Sequence, residues 1–281
     1  MGRDRVRRRA GTTTRHRALS LLASIALVVP VALADHAGAA GDETPARGRA
    51  YPGVEPERVV AGTLRYPARA VGTLDVTLHG TPRRCTAFLV DANSVVTAAH
   101  CIHDGSGDTG AAWASSATFQ AGHDAGAAPW GTCAATDGHA PWGWRTEADE
   151  RVDYAVVQLD CDIGVRVGWF GLWLSGRGGD LRNQKVYVRG YPDDLAGSQW
   201  RGGGRVTGLT PRLVFANART NGGVDGAPTY FSSAACGGPC AVAVSSTEPH
   251  GGAGVHAATP HGPRFTLGRF QQILAWAAEN G

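Results

Sequence analysis

The chain has 281 residues, of which 43% are hydrophobic and 18% are charged, a balance typical of a globular protein. Its 40 glycines and 15 prolines imply many turns and favour an all-β fold over a helical one. Residues 1–39 contain seven arginines and two aspartates, so the net charge of +3 divides into +5 there and about −2 in the remainder. That remainder gives no support to a nucleic-acid partner.

Residues 1–39 have the parts of a secretory signal peptide. The arginines precede an apolar run from Ala18 to Ala34, and small residues follow that run at 37–40. Pro30 interrupts the run, which is shorter than the roughly 20 residues that a membrane span needs. We therefore predict a secreted, extracellular protein with no stable membrane anchor. An uncleaved N-terminal anchor is the alternative.

The next stretch, residues 40–58, is polar and proline-rich and shows no apolar periodicity. It ends at Arg58, directly before Val59 and Val60, which suits a processing site. We predict that this stretch is either a short pro-segment or a simple linker. Residues 59–281 then form the functional domain.

Short apolar runs recur between turn signals along that domain and predict β-strands. They lie at residues 85–90, 94–99, 153–160, 185–192, 205–210, 212–218 and 240–246. One helix is predicted near the end of the chain, where apolar residues recur at helical spacing. These residues are Leu267, Phe270, Ile273, Leu274 and Ala277. Many strands with one terminal helix indicate a β-barrel protein.

The cysteine content also fits an oxidising, extracytoplasmic compartment, because the number of cysteines is even. The six are Cys85, Cys101, Cys133, Cys161, Cys236 and Cys240. The sequence by itself leaves many pairings open. Two C-x-x-C pairs, which a structural zinc site would use, do not occur, so we predict no metal and no cofactor.

Three motifs contain the candidate catalytic residues. His100 ends the apolar stretch VVTAAHC, Asp153 opens the apolar stretch DYAVVQL, and Asp225 lies in the turn GGVDGAP. Each has a plain structural interpretation: a core histidine, an acid at a strand edge, and an Asp-Gly turn. Acyl transfer, however, needs a base that takes and returns a proton near neutral pH, which suits histidine, an acid that orients the imidazole, and a nucleophile in a turn whose N–H groups face the oxyanion.

The blocks T-A-A-H-C, D-Y-A-x-x-x-L and T-x-G-G-x-x-G-A-P, in this order, resemble those of the trypsin-like serine peptidase superfamily. The resemblance is to its bacterial glutamyl endopeptidase branch and extends from about Arg58 to Asn280. It implies an all-β, chymotrypsin-like fold: two perpendicular six-stranded β-barrels with a C-terminal α-helix. Residues 59–281 would then be the peptidase domain, with a peptide or protein ligand in the cleft between the barrels and a monomeric state.

The resemblance also implies roles for individual residues. His100 matches the general base, Asp153 matches the acid that orients it, and Gly223 with the amide of Asp225 matches the oxyanion hole. It further implies a disulfide between Cys85 and Cys101. With that pair assigned, proximity along the chain pairs Cys133 with Cys161 and Cys236 with Cys240.

The sequence departs from the family at two positions. Asp225 stands where the family has its nucleophilic serine, and a carboxylate that attacked a peptide would give a mixed anhydride. Beside His100, it would also favour the imidazolium form. Ser245 stands in the specificity pocket where the glutamyl branch has a histidine, so a preference for glutamate is not predicted.

These departures predict a peptidase relative that is impaired or inactive. One alternative is an active endopeptidase that uses water, another serine such as Ser232, or the thiol of Cys236, since ACGGP also resembles a nucleophile box. Another is an extracellular structural domain with no function in its cleft. The retention of both His100 and Asp153 argues against that last interpretation.

Overall fold

The computed structural model describes residues 55–59, 62–174, 181–192, 197–218, 224–246 and 261–280. The predicted signal peptide lies outside these ranges, as does most of the stretch at 40–58. The end of that stretch belongs to the first strand, β1 (Glu55–Val59). Within the described ranges, no helix is both long and apolar enough to cross a membrane.

Six strands of the N-terminal half form a closed barrel. They are β2 (Val71–Leu78), β3 (Thr81–Leu89), β4 (Ser94–Thr97), β5 (Ser116–Ala121), β6 (Cys133–His139) and β7 (Ala155–Leu159). Their order around the barrel is β2-β3-β4-β7-β6-β5. All four residues of β4 and all five of β7 are buried, including the polar residues Ser94, Thr97 and Gln158.

The C-terminal half is built from a second sheet. Its strands are β8 (Gly171–Leu172), β9 (Lys185–Gly190), β10 (Trp200–Leu209), β11 (Leu213–Ala216), β12 (Pro228–Ser233), β13 (Gly238–Val244) and β14 (His261–Pro263). Six of these follow the order β14-β11-β10-β9-β12-β13, while β8 pairs with β13 and β1 pairs with β10.

Backbone hydrogen bonds bring the two ends of this six-stranded path together. Ser246 N donates to His261 O at 3.0 Å, and Phe265 N donates to Val242 O at 2.9 Å. An antiparallel bridge between Ala243 and Arg264 lies between them. The second sheet therefore closes as a six-stranded barrel, and the predicted all-β fold with two barrels is confirmed.

The described part of the chain also contains three α-helices: α1 (Trp142–Glu147), α2 (Ile163–Val167) and α3 (Leu267–Ala277). The predicted C-terminal helix is α3, but its buried face differs from the apolar pattern. Leu267 and Leu274 are 60% and 46% exposed, whereas Arg269 is only 7% exposed. The short helices α1 and α2 were not predicted, since five or six residues are too few to show helical periodicity.

The two barrels are joined by buried polar contacts around Tyr191. Its backbone N–H donates to Thr86 Oγ1 at 2.9 Å, and its hydroxyl donates to His123 O at 3.0 Å. Gln199 Nε2 donates to Ala68 O at 2.9 Å nearby. Because these groups are buried, separating the barrels would leave several polar atoms without partners, which favours one fixed arrangement.

Gly226, in the second barrel, packs tightly against Thr86 and Thr97 of the first barrel. Its φ of +85° is in the left-handed region, and an added Cβ would lie 2.0 Å from Thr86 O and 2.3 Å from Thr97 Oγ1. We expect Gly226→Ala to lower the free energy of unfolding by roughly 3 kcal/mol or more, because strain and a clash with backbone add together. Urea denaturation followed by fluorescence measures this change.

The matched control is Gly80→Ala. Gly80 also has a left-handed φ, +73°, but an added Cβ there would meet no atom within 4 Å. In this control the free energy of unfolding should fall by only about 1 kcal/mol, the contribution of the conformational strain alone. Equal losses in the two variants would show that the contact between Gly226 and the first barrel is not tight.

Candidate active site

Strand pairing brings His100 and Asp153 together. His100 lies in the short 3-10 turn Ala99–Cys101 that follows β4, and Asp153 lies just before β7. The strands are antiparallel, with Thr97 opposite Ala155, so the end of β4 and the start of β7 meet at one edge of the barrel. The two motifs, 53 residues apart, therefore become neighbours.

Two hydrogen bonds fix the histidine on the carboxylate. The backbone N–H of His100 donates to Oδ1 of Asp153 at 2.9 Å, and its Nδ1 lies 2.6 Å from Oδ2. Asp153 is fully buried and His100 is 8% exposed. An ionised carboxylate acts only as an acceptor, so Nδ1 carries the proton in this contact and Nε2 faces the other way.

Ser246 completes the set of donors to Asp153. Its hydroxyl donates to Oδ2 of the carboxylate. Sequence analysis did not identify this residue, because the signal there was only a pair of serines at the end of a strand. The neighbouring Ser245 was assigned to a specificity pocket instead. That role remains a prediction.

Main-chain hydrogen bonds hold the turn that contains Asp225. Gly226 N donates to Ser245 O at 2.8 Å, and Ser245 N donates to Ala227 O at 2.7 Å. Thr86 N, from the first barrel, donates to Asp225 O at 2.9 Å. The turn is thus tied to both barrels at once.

The side chain of Asp225 faces His100. Its Oδ2 lies 3.5 Å from Nε2 of the imidazole, on the side opposite to Asp153. Asp225 is 6% exposed, so the pair is largely screened from solvent. Gly223, the other predicted oxyanion-hole residue, lies outside the described residues, and that assignment remains a prediction.

The two carboxylates determine the charge of His100. Burial opposes the imidazolium form, but the charge and hydrogen bond of Asp153, followed by those of Asp225, outweigh it and raise the pKa of His100 to about 10. For Asp153, burial favours the neutral acid, but the His100 cation and the donated hydrogen bonds lower the pKa of the carboxyl. At neutral pH the arrangement is an imidazolium between two acids.

The structure contains three disulfides, and they are the predicted pairs. They join Cys85 to Cys101, Cys133 to Cys161, and Cys236 to Cys240, with Cα–Cα distances of 6.2, 5.8 and 5.6 Å. The first fixes the histidine turn to strand β3. The third occupies the sulfur of Cys236, so this residue offers no free thiolate for attack on a peptide.

The raised pKa of His100 makes stability depend on pH. The ordinary pKa is 6.5 and the folded value is about 10, so the contribution is fully present below pH 6.5 and is lost as pH rises through about 10. We expect the free energy of unfolding, measured with urea, to fall across this window.

The control for this pH dependence is His100→Gln, in which the part of the slope that comes from His100 should disappear. Asp225→Asn should lower the pKa of His100 but leave it above the ordinary value, because Asp153 makes the larger contribution. Identical slopes for wild type and His100→Gln would contradict the buried imidazolium.

The chain is similar to known peptidases in sequence. Residues 85–241 match the trypsin-like peptidase domain family. A glutamyl endopeptidase of Bacillus licheniformis is 32% identical over 222 residues, which are 77% of this chain and 66% of that protein. An extracellular metalloprotease of Bacillus subtilis is 28% identical over 228 residues, which are 80% of this chain and 69% of that protein. The chain thus spans about two thirds of the length of these curated relatives.

A solved structure of a Glu endopeptidase in complex with MPD has the same fold. It superposes with a TM-score of 0.65 at 22% identity and covers 79% of this chain and 95% of that chain. At this identity the likeness concerns the fold alone. The family match, which spans more than half of the sequence, is the decisive finding: the chain belongs to the trypsin-like serine peptidase superfamily.

Proposed function

We propose that this protein is a secreted member of the family whose peptidase activity is impaired or absent, because Asp225 occupies the position of the nucleophile. One observation supports this assignment above the others. The Asp225 carboxylate lies 3.5 Å from Nε2 of His100, the atom that would accept the proton of a serine nucleophile. The order of the three motifs supports the same assignment.

A carboxylate in this position works against acyl transfer in two ways. It has no proton to give at neutral pH, so a histidine base gains nothing by facing it. It also favours the imidazolium form of His100, which cannot accept a proton. If the Asp225 carboxylate itself attacked a peptide carbonyl, it would form a mixed anhydride and would have to expel the peptide amine, which is a poor leaving group.

The rest of the site supports retention of a binding role. The His100–Asp153 contact, the Ser246 hydrogen bond and the closed barrels are those of a folded peptidase. The cleft between the barrels that the family resemblance implies would suit an extended peptide or a protein segment as its ligand. We propose that such a ligand binds to a monomer and is released uncleaved.

Secretion is part of the proposal. It is supported by the charged and apolar pattern of residues 1–39 and by three disulfides, which persist in oxidising compartments. One relative is named an extracellular protease. The signal peptide at 1–39 and a processing site near Arg58 remain predictions.

The test of the proposal is Asp225→Ser, assayed beside wild type on a mixed peptide library. We expect no measurable hydrolysis by wild type and clear hydrolysis by the variant, since losing the nucleophile of a serine triad costs about 10⁴-fold or more in rate. A serine-directed phosphonate should label the variant at residue 225 and leave wild type unmodified.

Two matched variants control for this result. Asp225→Asn removes the negative charge without supplying a hydroxyl, and it should stay inactive. The double variant Asp225→Ser, His100→Ala should lose the activity gained. Hydrolysis by wild type that disappears in His100→Ala would show that the protein is an active peptidase and overturn the proposal.

The thiol alternative has its own test. Because Cys236 is bonded to Cys240, the native protein should resist alkylation by iodoacetamide when no reductant is present. Intact-mass spectrometry measures this directly, and the denatured, reduced protein serves as the positive control. Alkylation of Cys236 in the native state would restore the cysteine mechanism as a candidate.

A further inference from the structure

Helix α3 carries a buried arginine that the peptidase chemistry does not use. Arg269 is 7% exposed, and its guanidinium donates to three backbone carbonyls. Nη1 donates to Arg212 O at 2.7 Å and to Arg264 O at 2.8 Å, while Nη2 donates to Arg151 O. A planar guanidinium presents its donors from separate nitrogens in a fixed geometry, whereas the three donors of an ammonium group share one nitrogen.

These three carbonyls belong to separate parts of the fold. Arg212 lies in the turn between β10 and β11, and Arg264 follows β14, so both belong to the second barrel. Arg151 lies in the 3-10 turn Glu150–Val152 of the first barrel, directly before Asp153. One guanidinium therefore joins the two barrels at the loop that presents Asp153.

Arg269 also contacts the other side of that loop. Its guanidinium carbon lies 5.5 Å from the ring centre of Tyr154, the residue after Asp153. The Tyr154 hydroxyl donates to Gln272 Oε1 of the same helix at 2.5 Å. The segment from Arg151 to Tyr154 is thus held on both sides of Asp153 by helix α3.

We propose that Arg269 is a positioning residue that sets the Asp153 carboxylate against its donors. These donors come from both barrels: His100 from the first and Ser246 from the second. Their hydrogen bonds require the barrels to be in register, and Arg269 ties the barrels together beside the carboxylate. The inference does not depend on Asp225 being at the nucleophile position.

The charged groups around Arg269 do not supply a simpler role. Burial lowers the pKa of Arg269, the charges of Tyr154 and Asp149 oppose this shift, and Arg212 and Arg264 add to it. Asp149 already contacts other arginines, at 2.6 Å from Arg151 and 3.6 Å from Arg212. The hydrogen bonds of Arg269 to carbonyls therefore identify its role better than any ion pair does.

The test is Arg269→Lys in the full chain, with the Nδ1 proton of His100 observed by NMR. Lysine conserves the charge but cannot reach all three carbonyls. The chemical shift and the titration of this proton respond to Asp153, to Asp225 and to the Trp144 ring, which all lie near His100. Ser246 acts on it through its hydrogen bond to Asp153. We expect the deshielded resonance to move upfield or broaden, and the titration midpoint of His100 to fall by about one pH unit.

The matched control is Arg189→Lys. Arg189 is also a buried arginine, 2% exposed, and it donates to Gln199 Oε1 at 2.8 Å and to Tyr230 OH at 3.3 Å. It therefore supports the barrel contact around Tyr191 and Gln199 and not the segment that presents Asp153. This variant should lose stability without changing the Nδ1 resonance. If Arg269→Lys unfolds more easily yet leaves the resonance and the midpoint unchanged, Arg269 has a purely structural role and the proposal is overturned.

A second variant covers the case in which Arg269→Lys does not fold. Arg269→Gln is smaller and uncharged, so its burial costs less, but it offers fewer donors than the guanidinium. For Arg269→Gln only the Nδ1 resonance of His100 is used as the readout. Loss of the Arg269 cation would by itself raise the titration midpoint of His100. A wild-type resonance in this variant would also overturn the proposal.

Discussion

The buried contact between His100 and Asp153 is the interaction on which the candidate site depends. A carboxylate without exposure is costly unless it is paired and hydrogen-bonded. Asp153 meets this requirement with donors from two barrels: the backbone and ring of His100 on one side and the hydroxyl of Ser246 on the other. Either barrel alone would leave the carboxylate only partly satisfied. The charge at the site and the docking of the barrels are therefore coupled.

In the function that we propose, Asp225 makes the same electrostatics unfavourable for catalysis. A serine peptidase needs its histidine neutral at the start, so that the imidazole can take a proton. With a second carboxylate 3.5 Å from Nε2, the cation is the stable form. The attraction between protonated His100 and the two carboxylates stabilises the folded state at pH values below the raised pKa. The same attraction leaves no neutral imidazole to act as a base. In this site, stability and acyl-transfer chemistry favour opposite protonation states.

Sequence analysis identified the parts of the site that are encoded locally. His100 and Asp153 adjoin strands whose motifs and order are distinctive, and the apolar runs predicted β4, β7 and β13, whereas β2 and β12 were missed. Ser246 was missed because its partner Asp153 lies 93 residues away. Arg269 was missed because its partners are backbone carbonyls, up to 118 residues away, and such hydrogen bonds leave no pattern in the sequence. An arginine in an apolar helix appears solvent-facing until the tertiary structure shows three carbonyls around it. Strands as short as β8 and β14 carry too few residues for any periodicity.

The turn at Asp225 explains how the fold can tolerate a change of this side chain. The hydrogen bonds that tie the turn to Thr86, Ser245 and Ala227 join main-chain atoms, so they do not depend on which residue stands at 225. The steric demand falls on the next residue, Gly226, whose conformation and close packing exclude a Cβ. The backbone therefore holds this turn in place whichever side chain stands at 225, and under our proposal that side chain sets the chemistry of the site. A serine hydroxyl at position 225 would lie in the same turn and face the same histidine, but the site would carry one negative charge fewer.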